Sequence, residues 1–238
     1  MSYVFLASIA AAIGAPSIWV GITGELAAFA GIGLNTVAVN AGAAIYFSVR
    51  ALAGESGLAL AIMVCAAFVV IGGFVYAWAR RLPVRDRRPM PSVVRWAFVG
   101  FALTLLAVGS ALVLQVPRVF PWDLRPQTST IFGLIFLGAA VYFVHGVLNP
   151  IWAFGAGQLW SFLAYDLVLF VPYIRMLFSG SSASSSAYDY YGGAAAHVNI
   201  ASLSVYLSVL SVSTVLALYM AFVHPATRIV GARIAQRG

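Results

Sequence analysis

No lysine occurs anywhere in the 238 residues, cysteine occurs once, and acidic residues number only six. Each shortage excludes something. Without a lysine amine the chain can form no Schiff base, which rules out a retinal-binding seven-helix pigment and the pyridoxal phosphate enzymes. The lone Cys65 rules out an intrachain disulfide and sits in an apolar run, where it reads as a small hydrophobic residue. Charged residues make up 8% of the chain against 63% hydrophobic, a balance that water-soluble domains of this length do not sustain. The alternating apolar and polar pattern of an outer-membrane barrel is missing. So are a glycine-rich phosphate loop, a Ser/His/Asp or Cys/His set for nucleophilic catalysis, paired carboxylates for acid–base work, and a Cys/His cluster with metal spacing. The sequence therefore points to no enzyme class and no metal, and leaves any cofactor unidentified.

What is present is a series of continuous apolar runs, each long enough to close its backbone hydrogen bonds inside a bilayer. They predict an all-α, polytopic membrane protein built as a single helical domain over residues 1–238. Seven helices are expected, at about 4–22, 26–52, 58–78, 96–114, 128–147, 157–178 and 198–223. The N-terminus lacks the basic stretch of a secretory leader, so the run after Tyr3 is expected to stay as a helix. Pro16 should kink that helix or end its regular part early. Residues 4–52 are expected to cross twice; one long kinked helix with a re-entrant piece would instead flip the N-terminus.

Charge is segregated. Six of the thirteen arginines, Arg80, Arg81, Arg85, Arg87, Arg88 and Arg95, cluster in or beside the loop at 79–95, which Pro83, Pro89 and Pro91 keep from being helical. They are read as topology determinants that touch anionic lipid headgroups. Placing this loop in the cytoplasm sends the C-terminal Arg228, Arg233 and Arg237 there as well, and seven crossings leave the N-terminus outside. Tryptophans near the helix ends (Trp78, Trp96 and Trp152 inside, Trp122 outside with Tyr173 and Tyr188) fit an interfacial aromatic belt. The net charge of +7 comes without a basic stripe bearing stacking aromatics, so nucleic acid is not an expected partner. The expected setting is the cytoplasmic membrane of a bacterium, with the lipid bilayer and other membrane proteins as partners. A Ser/Tyr-rich segment at 179–196, including Tyr188 to Gly193, is expected as an outer loop suited to anchoring or protein contact.

Few residues inside the apolar runs carry chemistry. Asp166 is the one acid expected near mid-membrane, where a carboxylate must be paired or protonated and face protein or water. With Tyr165 beside it and Gln158 about two turns away, it is a candidate proton or cation relay; a structural hydrogen bond to a neighbouring helix is the plainer reading. His145 and His224 approach the inner surface and offer a candidate pair of haem or metal ligands, although neither sits in a metal-spacing motif. His197 begins the last helix and has no evident partner. Ser204, Ser208 and Ser211 form a small hydroxylated stripe, with Ser202, Ser213 and Thr214 alongside, expected to serve helix packing. Asn35 and Asn40 offer interhelical hydrogen bonds, and Glu25 marks a helix junction. Gly42 and Gly138 head two similar segments, Gly42-Ala43-Ala44-Ile45-Tyr46-Phe47 and Gly138-Ala139-Ala140-Val141-Tyr142-Phe143. An inverted repeat of three helices, as many transporters use, would place these segments in equivalent helices. Three functions follow as expectations: first, a non-catalytic subunit of a larger membrane complex; second, a small-solute or proton transporter working through Asp166; third, a haem-binding electron carrier.

Overall fold

A computed structural model of the chain describes residues 2–122, 124–179, 200–225 and 227. Tyr188 to Gly193, His197 and the arginines of the C-terminal tail lie outside the described residues. Among the described residues, seven helices are long and apolar enough to cross a membrane. They are α1 (Ser2–Thr23), α2 (Phe29–Leu52), α3 (Ala59–Ala79), α4 (Ser92–Val113), α5 (Pro126–Leu148), α6 (Trp152–Ser179) and α7 (Ile200–Leu218). A single 3-10 turn, Leu26–Ala28, leads into α2, and a π-helical turn, Tyr219–Val223, extends α7.

The punctuation of the sequence explains most boundaries. Pro126 occupies the first turn of α5, where its missing N–H costs nothing, and the extended Arg125 precedes it. Asn149 closes the same helix by donating its side-chain amide to the His145 carbonyl. Prolines that block a helix also start one. α4 begins at Ser92, directly after Pro91, and α6 begins at Trp152, two residues after Pro150, so both start earlier than their apolar runs indicate.

Pro16 neither ends α1 nor interrupts it. A proline at this position cannot donate to the carbonyl four residues earlier. That carbonyl belongs to Ala12, and the Ser161 hydroxyl of α6 donates to it at 2.6 Å. The bond lost along the helix is replaced by one between helices.

The chain resolves into two compact units: residues 1–19, 117–123 and 159–238 form one, and residues 20–116 and 124–158 the other. The second unit contains α2 to α5 and is built on glycine contacts. Gly33 of α2 and Gly72 of α3 approach so closely that a Cβ on Gly33 would lie 2.8 Å from the Gly72 carbonyl oxygen. Gly109 and Gly133 bring α4 and α5 together in the same manner, with 2.6 Å left for a Cβ on Gly133. α2 and α5 then pack on each other at the glycines that head the two similar segments. Gly42 faces Leu134, and Gly138 faces Val39 and Asn35.

One end of this unit is tied by hydrogen bonds. Gly24 ends α1 at φ +71°, with the Arg85 guanidinium against its α-carbon, a place without room for a side chain. Glu25, 4% exposed, turns inward, and its carboxylate accepts from the backbone N–H of Arg85 at 3.1 Å and of Asp86 at 2.6 Å. The basic loop continues into an antiparallel bridge. Met90 N–H donates to the Pro150 carbonyl at 2.9 Å and Trp152 N–H to the Arg88 carbonyl at 2.8 Å. The α1–α2, α3–α4 and α5–α6 junctions thus lie at one end of this unit, as helices running in alternating directions require. At the other end, Arg50 pairs with Glu55 across the α2–α3 turn and donates to the Tyr46 hydroxyl at 2.9 Å.

Candidate functional site

The first unit assembles around Asp166. Its helix carries Ser161, Tyr165, Asp166 and Tyr173 toward α1, α7 and the 117–122 segment, and Asp166 is 0% exposed. Carboxylate Oδ2 lies 2.6 Å from Ser213 Oγ and 3.0 Å from Thr214 Oγ1, both on α7. Oδ1 is buried and has no hydrogen-bond partner among the described residues.

Ser213 can serve either protonation state. Its Oγ also lies 2.9 Å from the Val209 carbonyl oxygen. With the carboxyl ionised, the serine hydroxyl donates to Oδ2. With a proton on Oδ2, the acid donates to Ser213, which turns its own hydrogen to Val209. The Thr214 hydroxyl donates to Oδ2 throughout. Neither state leaves Oδ2 or Ser213 unsatisfied, which lowers the cost of exchanging a proton in a site where unpaired polar groups are expensive.

An aromatic cluster starts at Tyr165, the residue before Asp166 in the chain. The Tyr165 and Tyr206 hydroxyls are 2.6 Å apart. Tyr206 meets Tyr173 edge-on with ring centroids 5.5 Å apart, and Tyr173 meets Trp122 at 6.0 Å. Phe120 packs against Trp122, Tyr206 and Phe5, and Phe5 against Tyr165. The Tyr173 hydroxyl and the Trp122 indole N–H are buried, and neither has a partner among the described residues. Trp122 and Tyr173 were natural candidates for a headgroup belt. They instead meet edge-to-face inside the unit, with Trp122 and its neighbour Phe120 both buried on the 117–122 segment. Trp152 is also buried, whereas Trp78 and Trp96 are exposed.

The other residues singled out by the sequence have separate surroundings. Gln158, 0% exposed, donates its amide to the Tyr142 carbonyl at 2.6 Å and lies flat on Gly146 of α5. Tyr165 is committed to Tyr206. The proposed relay trio therefore has three sets of partners. His145 packs edge-on to Phe154 and sets its buried Nδ1 against Gly31, with no partner for that nitrogen among the described residues. His224 belongs to the other unit, where its Nδ1 lies 3.3 Å from the Thr227 hydroxyl. No group of three or more His, Cys, Asp or Glu side chains gathers as a metal site among the described residues. Ser204 and Ser208 are exposed, and the Ser208 and Ser211 hydroxyls donate back to their own helix at Ser204 and Leu207. Ser213 and Thr214 instead send their hydroxyls across to α6, as Tyr206 does. Arg80, Arg81, Arg85, Arg87 and Arg95 are exposed, while Arg88 clasps Asp86 with an N–O distance of 2.6 Å.

Sequence reasoning missed that Tyr206, Tyr173 and Trp122 join Tyr165 in one cluster of the same unit as Asp166. The available signal was spacing: Tyr173 lies seven residues beyond Asp166, two helical turns along the same face. Comparison with known proteins returned no match, since no family model fits the chain and neither a curated protein nor a solved structure resembles it.

Proposed function

We propose that this chain is a multi-pass protein of a bacterial cytoplasmic membrane that moves protons, alone or coupled to a small solute, by loading and unloading Asp166. The carrying observation is the fully buried Asp166 carboxyl, with one oxygen held by hydroxyls suited to either protonation state and the other without a protein partner. An ionisable side chain inside a membrane span is costly, and a protein that only needed to pack its helices could use a neutral residue there. The orientation that accompanies this reading places the arginine loop and C-terminus in the cytoplasm and the N-terminus outside, following the positive-inside rule.

Reconstitution into liposomes holding a pH-sensitive dye tests the proposal. An imposed pH gradient should dissipate faster with the wild-type protein than with Asp166→Asn, and Asp166→Glu should retain part of the flux. Equal fluxes in wild type and Asp166→Asn would overturn it.

A second reading, a subunit of a larger assembly, is favoured by α3, the least buried of the seven spans. Leu60, Val70 and Phe74 on that helix are each more than 60% exposed. Stoichiometric partner chains after isolation in mild detergent would favour this role. An absorption spectrum of the same sample tests a haem-bearing role for His145 and His224.

A further inference from the structure

Three buried polar atoms of the first unit have no partner among the described residues: Asp166 Oδ1, the Tyr173 hydroxyl and Trp122 Nε1. Buried groups of this kind call for an explanation, and internal water is the ordinary one where several polar atoms lie together. Here they are strung along one direction. Asp166 and Tyr173 share a face of α6 and stand about 10 Å apart along its axis. Tyr206 spans the interval, sharing a hydrogen bond with Tyr165 beside Asp166 and packing against the Tyr173 ring. Trp122 follows, from the segment between α4 and α5, at the end of the unit where α6 finishes.

We propose that the Asp166 proton exchanges toward the Ser179 end of α6 along a hydrated file formed by the Tyr206–Tyr165 hydroxyl pair, the Tyr173 hydroxyl and the Trp122 indole N–H. Tyrosine hydroxyls accept and donate at once, so each can hold a water on both sides; the indole only donates, and it orients the outermost water. No covalent bond between heavy atoms changes. A proton leaves the carboxyl for a water, and the hydroxyls and waters of the file pass one proton onward for each one received. This inference rests on the proton reading of Asp166 and adds a route and a side to it.

Hydrogen–deuterium exchange of the Asp166 carboxyl, followed by infrared spectroscopy in lipid, separates the two claims. The reporter is the protonated carboxyl band that Asp166→Asn removes. Tyr173→Phe and Tyr206→Phe each delete one oxygen and keep the ring, so the aromatic packing stays. Each should slow exchange about tenfold, the effect of losing one hydrogen bond from the exchange path. Tyr219→Phe, at an exposed tyrosine outside the cluster, should leave it unchanged. Wild-type exchange rates in both Tyr173→Phe and Tyr206→Phe would overturn the file and leave the Asp166 reading standing. Absence of any carboxyl band sensitive to Asp166→Asn would overturn both. Elution profile and melting temperature of each variant report separately on folding.

Discussion

At the scale of single residues, the chain repeatedly satisfies a polar group with a partner distant in sequence. The Ala12 carbonyl, stripped of its helical donor by Pro16, takes the Ser161 hydroxyl instead. Ser161→Ala should then cost about 1 kcal/mol of stability, by leaving a part-buried acceptor without its donor. Adding Pro16→Ala restores an N–H to that carbonyl, so the double variant should recover most of the loss. Melting temperatures of the four proteins in the cycle check this, and additive effects would show that the two residues do not share the carbonyl. The proline itself was plain in the sequence. Its outcome was not, because the compensating hydroxyl comes from a helix about 150 residues later and no local pattern announces it. Asp166 stood out as a lone acid in an apolar run, whereas Ser213 looked like one hydroxyl among several on a small-residue helix.

Helices bring the glycine contacts and the basic loop into account. Gly72 touches the Gly33 carbonyl, while its neighbour Gly73 has open space where a Cβ would stand. Gly72→Val should therefore destabilise the α2–α3 pair by about 1–3 kcal/mol, and Gly73→Val should change stability far less, read as melting temperature. Gly42 and Gly138 could be picked out because they head similar segments. Gly33, Gly72, Gly109 and Gly133 could not be told from the chain's other glycines, since the close approach depends on which helices meet. The loop between α3 and α4 offers a test by pH. Burial works against the charge of Asp86, and the hydrogen bonds and charge of Arg88 outweigh it, so the carboxyl is held below its ordinary value of 3.8. A group whose value is depressed on folding stabilises the fold above its unfolded value and loses that contribution as pH falls through the folded one. Loop order should be pH-independent near neutrality and decline below about pH 4. Limited proteolysis of the loop should show that acid sensitivity in wild type and lose it in Asp86→Asn.

For the whole molecule, the number of helices and their all-α class were legible from hydrophobic runs, because the bilayer demands length and continuity and both are local properties. The division into two units and the identity of Asp166's neighbours were not legible, because they depend on tertiary pairing. The proposed orientation yields its own measurement. In a Cys65→Ala background, Ser56→Cys should react with a membrane-impermeant maleimide on intact cells, whereas Arg87→Cys should react only after permeabilisation. The opposite pattern would invert the topology. The carboxylate of Glu25 sets a further condition on how the protein is made. Its two donors lie 60 and 61 residues downstream. At about 5–20 residues per second, a ribosome needs roughly 3–12 s to supply them. During that interval a charge destined for burial has only water and lipid headgroups to meet. Under the proposed topology, the first pair of helices must wait with its turn held at the cytoplasmic surface and sink to final depth only when the arginine loop arrives. Under that topology, synthesis order and membrane depth are coupled through one acidic side chain.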